Sequence, residues 1–231
     1  MMRFDLFKIK AEQKKKTIES LIESSSPTQA FFLVLVLAGI ITTFGIMLNN
    51  VAVVIGGMLV SPLLAPILAI TMGIVVSDYK LIARSFKVLA KAILWVVIVS
   101  LLIAIFFINK EVNQEIISRT KPDLVYFAIA LASGVAASFA MSKEEFSERM
   151  VGVAVAIALL PPLSVLGIGI AFLKWQIISG ALVLFLANLA GILLGSLIVF
   201  SLLRFYPEKK KVVEELKEEE KVLNNHGNNQ E

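Results

Sequence analysis

Apolar and polar positions in this chain fall in long blocks rather than in alternation. No charge occurs anywhere from Phe31 to Ser77, a run of 47 residues, and further apolar runs of helical length follow. A bilayer core of about 30 Å takes roughly 20 helical residues. On that measure the pattern predicts six spans, at residues 30–48, 51–76, 87–108, 123–142, 150–173 and 175–203. Asn49-Asn50 alone separates the first two, which requires a tight hairpin with Asn50 as N-cap of the second helix. The last two turn at Lys174-Trp175, where Trp175 suits a membrane interface. The expected fold class is all-α, a polytopic membrane helix bundle of about six spans over residues 30–203. It divides into two three-helix halves, 30–108 and 123–203.

Two charged flanks enclose this block. Residues 1–29 form a basic segment in which Leu6, Phe7, Ile18, Leu21 and Ile22 stand among lysines, the pattern of an amphipathic helix lying on the membrane or of a solvated tail. Residues 204–231 read as a short charged helix over about 208–223, then a disordered tail from Asn224 to Asn229. Counting Lys and Arg by loop puts 18 on the side of the termini and 4 (Lys110, Arg119, Lys121, Lys174) on the other. That asymmetry predicts both termini in the cytoplasm and a multi-pass protein of the cytoplasmic membrane. No cleavable leader is expected, because a basic stretch of about 29 residues precedes the first apolar run and no small-residue cleavage pattern ends that run.

The middle span of each half carries prolines near its centre. Pro62 and Pro66 withhold the N–H groups that would bond the carbonyls of Met58 and Pro62, and Pro161 and Pro162 do the same for Ile157 and Ala158. In hydrocarbon each freed carbonyl must find protein, water or an ion. Both middle helices are therefore expected to be broken by proline. Two similar halves of three spans each would also run in opposite orientation, as in the inverted repeats of many transporters. The candidate pathway comprises Met58, Ser61, Pro62, Pro66, Ile157, Ala158, Pro161, Pro162, Ser164 and Asn188, with Asn49 and Asn50 at its outer mouth. Small residues recur at i, i+4, for example Gly57/Ser61, Ala132/Ala136/Ala140 and Ala187/Gly191/Gly195. Such strips suit close helix packing, within one chain or between copies in a homo-oligomer.

Composition closes off other classes. Apolar residues make up 58% and charged residues 17%, with a mean hydropathy of +0.85. There is no Cys, and the one His, His226, lies in the polar tail, so disulfides, thiolate chemistry and His-ligated metals are excluded. Beyond Lys87, Lys91 and Asp123 near span ends, no Asp, Glu, Lys, Arg or His lies inside an expected span, which removes the base at depth that a hydrolase or a proton relay needs. The protein is expected to be no enzyme and to take no cofactor or metal. Its basic residues gather at membrane edges, pointing to membrane lipids and away from nucleic acid. Lys14-Lys15-Lys16 is one such cluster. Lys80, Arg84, Lys87 and Lys91 form another, at spacings of 4, 3 and 4 that put them on one lipid-facing helix side.

At the proline segments the sequence resembles the domain-of-unknown-function 389 family of "uncharacterised hydrophobic domain" membrane proteins. Residues 50–67 match its Gly-Ala-Met-x-x-x-Pro-Leu hallmark as Gly56-Gly57-Met58 through Pro62-Leu63, with Gly57 in place of the usual Ala. Residues 152–167 and the segment Leu184-Phe185-Leu186-Ala187-Asn188-Leu189 resemble the second and third hallmarks. The resemblance covers roughly residues 25–203. It implies a multi-span membrane protein and no established substrate. A soluble domain that precedes the membrane part in some relatives is expected to be missing here. The functional expectation is a transporter or channel-like permease for a small solute or ion, and the competing one a non-transporting scaffold or partner-binding subunit.

Overall fold

The computed structural model describes residues 9–107, 111–143, 148–208, 210 and 212–219, and for 148–158 the helical backbone alone. Leu6, Phe7, the tail from Asn224 and the side chains of Ile157 and Ala158 lie outside the described residues. All regular structure among the described residues is helical. The elements are α1 (Ala11–Ser24), α2 (Gln29–Met47), α3 (Val51–Val60), α4 (Leu64–Val75), α5 (Tyr79–Ile105), α6 (Gln114–Ser118), α7 (Leu124–Ser142), α8 (Glu148–Ala171) and α9 (Trp175–Leu202). A 3-10 turn at Tyr206–Glu208 and a helical segment at 212–219 follow.

Helices α2, α5, α7 and α9 are each long and apolar enough to cross a membrane. Helices α3 and α4 add a fifth candidate if taken as one span bent by 52°. Four to five candidate spans thus stand where the sequence pattern predicts six. The sixth coincides with α8, whose described apolar stretch, Leu159–Ala171, is shorter than the roughly 20 residues a bilayer core takes.

One corner recurs three times and sets the path of the chain. In each, a glycine is followed four residues later by a residue with positive φ: Gly45 by Asn49 (53°), Gly73 by Ser77 (55°), Gly169 by Leu173 (53°). The next N–H then closes on the glycine carbonyl, Asn50 to Gly45 at 2.8 Å, Asp78 to Gly73 at 2.8 Å and Lys174 to Gly169 at 3.1 Å. This is the Schellman ending of a helix. The outgoing helix passes directly over the glycine: a Cβ there would lie 2.7 Å from Val54 N, 2.8 Å from Ile82 Cγ1 and 2.9 Å from Ile177 Cγ2. Asn50 and Asp78 finish the corners as N-caps, accepting from the N–H groups of Val53 at 3.2 Å and Leu81 at 2.8 Å. The hairpin and cap predicted at Asn49-Asn50 are present.

Those corners also re-register the two halves. Pro66 and Pro162 each stand seven residues before the corner glycine, and Tyr79 and Trp175 open the helix after it. Measured from the corner, the counterpart of Pro162 is Pro66 rather than Pro62. The two corners lie at opposite ends of the bundle. Val76 packs with α1 residues, and Phe172 packs with Ile46 and Ile116.

Helix α8 runs through the middle of the bundle, against α9, α5, α7, α3 and α2. The tightest pair is α7 with α9, where a Cβ on Gly134 would meet Ile192 O at 2.4 Å and one on Gly195 would meet Leu131 O at 2.2 Å. Buried hydroxyl pairs tie further helices together. Thr43 and Ser100 lie 2.8 Å apart between α2 and α5, and Thr71 and Ser196 lie 3.0 Å apart between α4 and α9.

At the end of the bundle shared with the 212–219 segment, α1 turns its apolar side inward. Ile18, Leu21 and Ile22 are buried in one cluster with Phe205, Val212 and Leu216. The expectation of an amphipathic helix lying on the membrane is corrected here: protein, not lipid, covers that face. Lys14, expected at lipid, donates instead to Arg204 O at 2.5 Å and stands 3.7 Å from a Glu208 carboxylate oxygen. Lys15 pairs with Glu19 at 3.3 Å.

Candidate functional site

The two proline segments behave differently. Ser61 precedes Pro62, and a residue before proline is pushed from helical to extended backbone. Ser61 has φ −70° and ψ 127°, so α3 ends there and α4 restarts at Leu64. The carbonyl of Met58, expected to be freed by Pro62, accepts the Ser61 N–H at 3.2 Å. Pro66 falls in the first turn of α4, where backbone N–H groups have no intrahelical acceptor in any case. It is buried and costs the helix nothing.

In α8, by contrast, Pro161 and Pro162 sit inside a continuous helix. The expected break of the second middle helix is absent. Leu159, Leu160, Leu163, Ser164 and Val165 are all buried, so neighbours on every side hold the diproline turn in helical geometry. Tertiary packing overrides the local preference of the residue before each proline.

These elements meet halfway across the bundle. At about 1.5 Å per helical residue, Ser61 lies about 16 Å from the Asn50 corner and Ser164 about 15 Å from the Lys174 corner. Both corners share one end, where Ile46, Ile116 and Ile177 form a single cluster. Asn188, on α9, lies about 21 Å from that end and is buried on α9 among Leu184, Phe185 and Gly191. Met58 is buried in the same cluster as Val165, the neighbour of Ser164. Helix α2 closes the other side. A Cβ on Gly57 would stand 2.3 Å from Thr42 Oγ1 and 2.9 Å from Ala38 O.

Most buried hydroxyls of the bundle are paired. Thr43, Ser100, Thr71, Ser196 and Ser138 all have a hydrogen-bond partner. The buried hydroxyl oxygens of Thr42, Ser61, Ser164 and, away from the break on α5, Ser85 have none among the described residues. An unpaired hydroxyl in a protein interior costs about 1–3 kcal/mol. Three of the four, those of Thr42, Ser61 and Ser164, lie on the three helical segments that pack around the break, α2, the α3–α4 junction and α8. Thr42 was missing from the sequence-derived site. Its signal was the Thr42-Thr43 pair, of which a helix can aim only one side chain at α5, and the other turns toward Gly57. Among the described residues no three His, Asp or Glu side chains come together, and the break is a neutral polar site.

Two other predicted features move. Asn49 and Asn50, expected at an open mouth, are engaged in structure: Asn49 Oδ1 accepts the Glu115 N–H at 3.1 Å, and Asn113 Nδ2 donates to Ile46 O at 2.6 Å. The short α6 thereby covers the hairpin. Of the basic row, Lys80, Lys87 and Lys91 are exposed. Arg84 is not lipid-facing. It forms an ion pair with Glu219 of the C-terminal segment and donates to Ser26 Oγ at 3.2 Å.

A family model described as a domain of unknown function, DUF389, matches residues 58–194. An uncharacterized protein of Methanocaldococcus jannaschii is 34% identical over 204 residues, which cover 84% of this chain and 63% of the relative. The chain therefore spans less than two thirds of the length of that relative. No solved structure matches it.

Proposed function

The chain belongs to the DUF389 family, and from that membership and the geometry of the break we propose that it is a membrane permease for a small solute or ion. It sits in the cytoplasmic membrane with both termini inside. The substrate is held where α3 and α4 part, beside the diproline turn of α8, by hydroxyls and backbone groups rather than by charges. The carrying observation is the trio of buried, unpartnered hydroxyls on Thr42, Ser61 and Ser164. A ligand offering hydrogen-bond donors, acceptors or a coordinated cation recovers the free energy those groups forfeit. The opposite placement of the α4–α5 and α8–α9 corners supports two halves in inverted orientation, an arrangement that puts substrate sites near the bilayer midplane.

Single cysteines at Ser61 and Ser164, in a chain with no native Cys, test the reading. A small water-soluble thiol reagent is expected to label both in intact membranes. Proteoliposomes screened with ions and metabolites are expected to show flux that labelling abolishes. Two unlabelled cysteines and no flux would overturn it in favour of a scaffold whose prolines only shape packing.

A further inference from the structure

Beside the N-terminal third of α5 lies a groove of about 420 Å³. Lys80, Arg84, Lys87 and Lys91 line it, together with Tyr79 and Pro27. Arg84 is neutralised by Glu219. Among the described residues no carboxylate pairs with Lys80, Lys87 or Lys91, so the groove holds three uncompensated cations within three helical turns. The uncommitted charge is positive, and an anion complements it.

The position of the groove identifies the anion. Helix α5 has 27 residues, about 40 Å, the depth of a bilayer core with its headgroup layers. Counting back about 20 residues from Ile105 reaches Phe86. Lys80 and Arg84 then lie beyond the hydrocarbon, Lys87 at its edge, and Lys91 about 7 Å inside, near enough for its ammonium to reach the headgroups. On the same side of α5 the row continues as Leu94, Ile98 and Leu102, exposed by 58%, 38% and 54%. A cationic seat that runs on into an apolar strip has the shape of one phospholipid, phosphate at the lysines and acyl chain along α5. We propose that this groove is a binding site for an anionic phospholipid, a site that rests on the membrane reading but not on transport.

Trp95, one turn beyond Lys91 and 48% exposed, reports on the site. With Trp175→Phe it is the single tryptophan of the chain. In phosphatidylcholine vesicles, quenching by brominated phosphatidylglycerol is expected to exceed quenching by brominated phosphatidylcholine, with about a tenfold preference. The triple variant Lys80→Gln, Lys87→Gln, Lys91→Gln is expected to bring the preference to about one. Ala83→Phe, which fills the groove and keeps every cation, is expected to do the same. Equal quenching in the parent protein overturns the proposal. So does a preference that survives Ala83→Phe, which would be charge attraction without a seat. Millimolar inorganic phosphate is expected to leave the preference intact; its loss would assign the groove to a soluble phosphate compound. Absence of quenching by either lipid would defeat the membrane reading itself, a failure distinct from that of the groove.

Discussion

Ser164→Ala and Ser196→Ala remove the same atom from two fully buried positions, and their effects on stability should have opposite sign. Ser196 Oγ donates to Ile192 O at 2.7 Å and accepts across the helix interface from Thr71 Oγ1 at 3.0 Å. Its loss breaks an interhelical hydrogen bond, worth about 0.6–1.7 kcal/mol within membranes. Thr71 then turns its proton to Ile67 O, 3.1 Å away, so no orphan is created. Ser164 Oγ has no partner among the described residues. Replacing it relieves an unpaired group costing about 1–3 kcal/mol and gives up a few atomic contacts of about 0.1–0.2 kcal/mol each. The expected outcome is a gain of about 1 kcal/mol for Ser164→Ala and a loss of about 1 kcal/mol for Ser196→Ala. Reversible unfolding in mixed micelles of rising denaturing-detergent fraction measures both, and flux in proteoliposomes should fall for Ser164→Ala alone. If Ser164→Ala loses stability as Ser196→Ala does, Ser164 is interhelical glue and the reasoning that makes the break a site is refuted.

Gly195→Ala must part α7 from α9, because its Cβ meets Leu131 O at 2.2 Å and Val135 N at 2.9 Å. A loss of about 1–3 kcal/mol is expected, against no measurable change for Gly56→Ala, which meets nothing within 4 Å. Leu173 holds φ 53° while 88% exposed, so Leu173→Gly should stabilise by about 0.5–1 kcal/mol, read as a rise in thermal midpoint. Burial first, then the nearby Glu19 and Glu218 carboxylates, raise the pKa of Glu215. Raised in the folded protein, it takes up its proton there at higher pH than in the free segment, which favours docking of the C-terminal segment as pH falls through the carboxylate range. Hydrogen exchange in α1 should show that increment in the parent protein and not in Glu215→Gln.

Much of the architecture was legible in the residues themselves. Membrane lengths of uncharged sequence specify helices whose backbone bonds close internally. Asn49-Asn50 and Lys174-Trp175 mark their own corners because only two residues separate long apolar runs. The extended conformation of Ser61 follows from Pro62 by local sterics. Each of these is a property of a few neighbouring residues, which is why the sequence sufficed.

What tertiary structure decided lay beyond any local rule. Two proline pairs that look alike became a break and a continuous helix: Pro161 and Pro162 are buried among six neighbouring helices, whereas Ser61 and Pro62 are only half-buried. Thr42 and Thr43 stand side by side in sequence, yet the position of α5 gave one a partner and left the other facing the break. The basic row on α5 read as four equal cations until the C-terminal segment brought Glu219 to Arg84. The uncharged run from Phe31 to Ser77 dictated a membrane-length block of helices. Which polar atoms within and around it remained unpaired depended on contacts between residues far apart in the chain, and the candidate site is drawn from those atoms.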